Sequence, residues 1–137
     1  MQRKSLLMGL MLIVSTGAWA GKEEREKKTE LEPRVKAAAE AFKSKCGGGV
    51  SITVDWKSYK TVNDMSQIGY AMDAIKDGAA AYCTDDESKK IMSTVKSIDY
   101  VFGKTDQGPK FKSGKITAST DSTGYNSWDQ MAKLVDQ

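Results

Sequence analysis

The chain has 137 residues, 39% of them hydrophobic and 28% charged, with two prolines, two cysteines and a formal charge of +3. That is the composition of one ordinary globular domain, and it excludes collagen-like, mucin-like, wholly disordered and polytopic membrane chains. Histidine is absent, which removes Ser-His-Asp and Cys-His catalysis and the usual histidine-bearing zinc sites.

Residues 1–20 carry the pattern of a cleaved signal peptide. Gln2, Arg3 and Lys4 give a short basic start, Leu6 to Val14 an apolar run, and Ala18-Trp19-Ala20 places small residues, Ala18 and Ala20, at the two positions that a signal peptidase reads, with cleavage expected after Ala20. The apolar run is too short for a membrane span, and no cysteine follows the cleavage point to carry a lipid. The expectation is therefore a periplasmic or secreted protein without a membrane anchor. Without Arg3 and Lys4, nineteen basic residues face eighteen acidic ones, so overall charge gives no reason to expect a nucleic acid or an anionic lipid as partner.

Residues 21–29 begin Gly-Lys-Glu-Glu-Arg-Glu-Lys-Lys and offer nothing apolar to bury. They are expected to form a charged flexible arm ahead of a single domain spanning residues 30–137. A capping box of Thr29 and Glu32, with Pro33 in the first turn, then predicts a helix from about Glu30 to Lys45, with Leu31, Val35, Ala38, Ala39 and Phe42 on one face. Gly47, Gly48 and Gly49 end it.

Val50 to Lys57 alternates strictly, with Val50, Ile52, Val54 and Trp56 on one side, and reads as a strand. Asn63 caps a second helix running to about Tyr82 along Met65, Ile68, Met72, Ile75 and Ala79. Thr84 to Glu87 open a short third helix to about Val95. Ile98, Tyr100 and Phe102 mark another strand, and Phe111 to Ala118 a further one or two around a turn at Ser113-Gly114. Ser127 and Gln130 cap a last helix bearing Trp128, Met131 and Leu134 or Val135. The order α-β-α-α-β-β(-β)-α predicts an α+β fold, with helices on one face of a small, mostly antiparallel sheet of three to four strands.

In an oxidising compartment Cys46 and Cys83 are expected to form one disulfide; they lack the Cys-x-x-Cys spacing of a redox pair. The acids Asp85, Asp86 and Glu87, and the group Asp121, Asn126 and Asp129, lack the alternating ligands of a calcium loop, so no metal and no cofactor is expected. Among the acids, Asp99 alone sits in an apolar run, between Ile98 and Tyr100.

Lys104, Lys110, Lys112 and Lys115 stand against Asp106 alone, a local excess of +3. Lys110, Lys112 and Lys115, with the aromatics Tyr59 and Tyr125 near element ends, are the candidate residues for contact with a partner, and Thr117 and Ser119 lie close by. The reading that follows is a small exported, non-catalytic binding module, of the inhibitor or immunity type, acting on another exported protein or an envelope component. Two readings compete with it. One is a small secreted hydrolase using carboxylates, tyrosine or lysine; the other is a carrier of a small apolar ligand lined by Met65, Met72 and Met131.

Overall fold

The computed structural model describes residues 21–137, so the signal-peptide expectation lies outside the described residues. The first element, α1 (Lys22–Cys46), takes in the charged run that was expected to be an arm. Lysine and glutamate are good helix formers, and two local contacts stabilise the early turns. Gly21 N donates to Glu24 Oε1 at 2.9 Å, and Lys27 pairs with Glu30 at 2.7 Å. Lys28 lies 5.9 Å over the ring of Trp56, which ties this end of the helix to the body. With the start moved back two turns, Thr29 is no cap: its hydroxyl donates to the Arg25 carbonyl, and Pro33 stands inside the helix. An interior proline costs about 3 kcal/mol. Leu31, Val35, Ala38, Phe42 and Cys46, all buried on one face, offset it.

After the glycines come β1 (Ser51–Val54), a 3-10 turn (Trp56–Ser58), a second such turn (Asn63–Met65) and α2 (Ile68–Tyr82). Asn63 therefore opens the turn and not the helix. Then follow α3 (Asp86–Met92), β2 (Ser97–Phe102), β3 (Lys110–Lys112), β4 (Lys115–Thr120) and α4 (Trp128–Asp136). Asp85 caps α3 by accepting from Ser88 N at 2.7 Å, and Ser127 with Gln130 caps α4 reciprocally. Ser113 and Gly114 both take positive φ, 52° and 81°, giving the two-residue hairpin turn between β3 and β4.

The α+β class, the element order and the disulfide are as expected; the strand directions are not. The sheet order is β1-β2-β4-β3, and only the β3–β4 pair is antiparallel. β1 runs parallel to β2, and β2 parallel to β4. The connection from β1 to β2 contains two helices, enough chain to return to the same end of the sheet. β3 takes up the reversal after β2, so β4 again points the same way.

Ile52, Val54, Ile98, Tyr100, Ile116 and Ala118 share the inner face and are buried in one core with Phe42, Met72, Ile75 and Met131. The helices α1 and α2 pack closely. Arg34 lies over Gly69, donating to its carbonyl at 3.1 Å and pairing with Asp73 at 2.6 Å. Cys46, the last residue of α1, is bonded to Cys83, just beyond α2, so their C-terminal ends are covalently joined. A disulfide is the mark of an oxidising compartment. Among the described residues no helix is long and apolar enough to cross a membrane.

Candidate functional site

Alternation along the strands directs every second residue away from the core. Register then assembles them into rows on the outer face. Ser51, Ser97, Lys115 and Lys112 form one row; Thr53, Asp99, Thr117 and Lys110 the next; Val101 and Ser119 begin a third. None of these residues is buried.

Asp99 is the hub. Its carboxylate accepts from Thr53 Oγ1 on β1 at 2.7 Å and pairs with Lys115 Nζ on β4 at 3.0 Å. Burial alone would raise the Asp99 carboxyl. The hydrogen bonds from Thr53 and Lys115 and the charge of Lys115 outweigh burial and hold it below its ordinary value. The acid that the sequence places in an apolar run thus faces out, because Ile98 and Tyr100 on either side point in. It is a charged anchor spanning three strands and lacks the raised affinity for protons that a general acid needs.

Lys110, Lys112 and Lys115 are brought together as expected. With Ser113 and Thr117 they line a shallow depression of about 350 Å³ over the β3–β4 hairpin. Lys115 leans toward Asp99, whereas Lys110 and Lys112 are exposed on the edge strand.

The two tyrosines do not join them. Tyr59 is fully buried, a correction to its expected place at the surface. The strand ends at Val54, not Lys57, and the turn at Trp56–Ser58 drops the chain inward. Ser58 Oγ anchors that turn by accepting from Phe102 N at 2.9 Å. The Tyr59 phenol then reaches Thr120 Oγ1 at 2.6 Å. Trp56 leaves the strand for the same reason and is half-buried. Tyr125 is half-buried against the core and forms an isolated bridge with Thr120, away from the hairpin lysines.

Both acidic groups weighed in the sequence have local partners. Hydrogen bonds from Ser88 hold Asp85 below the usual carboxylate range, and those from Thr123, with Gly124 and Thr105 adding to them, do the same for Asp121. No group of three or more potential metal ligands occurs among the described residues.

Sequence reasoning did not find a second feature, a groove of about 530 Å³ between α1 and the free edge of β1, lined by Val35, Ala39, Ile52, Val54 and Trp56. The available signal was the composition of β1, Ser-Ile-Thr-Val, a strand without a charge or a proline.

Comparison with known proteins returns no match: no family model, no curated sequence and no solved structure resembles this chain.

Proposed function

We propose that this protein is a small exported, non-catalytic binding module that holds another exported protein or an envelope component against the outer face of its sheet, in the manner of an inhibitor or an immunity protein. The observation that carries this reading is the bare face itself. Parallel strands are ordinarily covered on both faces, yet β1, β2 and β4 are covered by helices on one face only. The uncovered side is a rigid array of hydroxyls, one anchored carboxylate and three lysines, built for contact over an area more than for enclosing a small molecule. The lysine-rich end fits an acidic partner surface.

The test is capture from envelope and culture fluid with the purified protein, followed by association kinetics. Reversing Lys110 and Lys112 to glutamate should slow association about ten-fold at low salt and leave thermal stability unchanged, since neither side chain is buried. A captured partner whose association rate ignores both the double variant and salt would reject this face as the binding surface. Hydrolytic activity that survives repurification and disappears on replacing one carboxylate would reject the non-catalytic reading.

A further inference from the structure

The two edges of the sheet are treated differently. β3 carries Lys110 and Lys112 and follows Pro109, devices that discourage another strand from pairing there. β1 has neither device. Ser51 N donates to the Lys96 carbonyl at 3.1 Å and Asp55 N to the Tyr100 carbonyl at 2.8 Å. The amides of alternate residues therefore point toward β2, and those of Ile52 and Val54 point away from the sheet. Beside them runs the groove of about 530 Å³ under α1, with Val35 and Ala39 on its helical wall and Glu32 and Lys36 at its rim.

We propose that β1 pairs antiparallel with the β1 of a second copy of this chain, giving a two-fold dimer with one continuous eight-stranded sheet. The charge pattern selects this occupant. Glu32 and Lys36 lie four residues apart on the same side of α1, one helical turn. A two-fold axis through the β1 edge sets the two α1 helices antiparallel, so that Glu32 of each copy meets Lys36 of the other. Val35 and Ala39 then close the groove from both sides, and the outward amides and carbonyls of Ile52 and Val54 gain partners. This inference is independent of the outer-face reading, which needs only one copy.

The experiment is sedimentation of the purified protein with two single charge reversals, Glu32→Lys and Lys36→Glu, alone and mixed. The wild type should sediment as a concentration-dependent dimer at concentrations up to about a millimolar. Each single variant sets like charges opposite each other twice, and its dimer dissociation constant should rise about ten-fold or more. An equimolar mixture of the two should recover dimer, because the all-lysine and all-glutamate rims are complementary. In hydrogen exchange, the amides of Ile52 and Val54 should gain protection as the wild type is concentrated. A wild type that stays monomeric overturns the proposal. So does a dimer insensitive to both reversals, or a mixture that associates no better than either variant alone.

Discussion

The phenol of Tyr59 and the hydroxyl of Thr120 meet at 2.6 Å in the core, joining the turn after β1 to the end of β4 across 61 residues of sequence. Both residues are fully buried, so removing the Tyr59 hydroxyl takes from Thr120 its partner at 2.6 Å. Tyr59→Phe should cost about 1–3 kcal/mol, the penalty of an unpaired buried hydroxyl. Tyr59→Phe combined with Thr120→Val should cost clearly less than the sum of the two single changes. Urea titrations of the four proteins check this; additive losses would show that the pair is not coupled.

The same burial predicts an alkaline limit. Burial first of all pushes the Tyr59 phenol up, against the opposing Thr120 hydrogen bond, and it pushes the Tyr100 phenol up as well. Each therefore ionises in the unfolded chain near its ordinary value of 10 while staying protonated in the folded one. Their contribution is complete below pH 10 and is lost as pH rises through the raised values. Melting temperature should fall steeply above about pH 10, and in Tyr59→Phe the fall should be shallower.

On the acid side the sign reverses. Asp99 is held below its ordinary 3.8 in the folded state, so its contribution is present above that value and fades as pH drops through the lowered one. Asp99→Asn should remove that part of the acid sensitivity. Comparing melting temperature between pH 5 and pH 2 in the two proteins measures it.

Two glycines of α2 should respond differently to alanine. A Cβ on Gly78 of α2 would overlap the ring of Trp128, which is held in the core against Phe42 and Tyr82. The overpacking cost of about 1–3 kcal/mol exceeds the helix-propensity gain of up to about 1 kcal/mol. Gly78→Ala should lower the melting temperature by several degrees. At Gly69 the obstacle is the flexible end of Arg34, part of an exposed ion pair that is readily displaced. Gly69→Ala should leave stability nearly unchanged.

Reducing the Cys46–Cys83 bond releases a constraint across 37 residues, worth about 4 kcal/mol by chain entropy. A melting temperature lowered by ten degrees or more in reductant is expected. An unchanged one would show that the crossover is held by packing alone.

Local signals made the elements legible. The alternation of Val50 to Val54, the cap at Ser127 and the turn at Ser113-Gly114 each act within a few residues and appear where expected, whereas the α3 cap, expected from a capping box of Thr84 and Glu87, falls one residue later at Asp85. The start of α1 was hidden because a run of lysine and glutamate reads equally well as solvated coil or solvated helix, and the Trp56 contact with Lys28, which adds to the local contacts in favour of the helix, comes from a distant turn. Strand direction was hidden for a similar reason, since it depends on where the connecting helices lie and not on the strands themselves. The lysines of the candidate site were visible because they cluster along the chain. The Thr53–Asp99–Lys115 link was not, because its members come from three strands whose neighbours only the fold determines.

The bridge between α1 and α2 also bears on how quickly the sheet can assemble. Along the backbone, β1 and β2 first meet after forty-six residues, from Ser51 to Ser97. Through the sulfurs the route is five residues from Ser51 back to Cys46 and fourteen from Cys83 on to Ser97. Shortening the path to the first parallel pairing in this way raises the encounter probability of the two strands about four-fold by loop-closure scaling. The oxidised chain would therefore close its sheet faster than the reduced one. A chain that acquires this bond early spends less time with the uncharged β1 edge open to other unfinished chains.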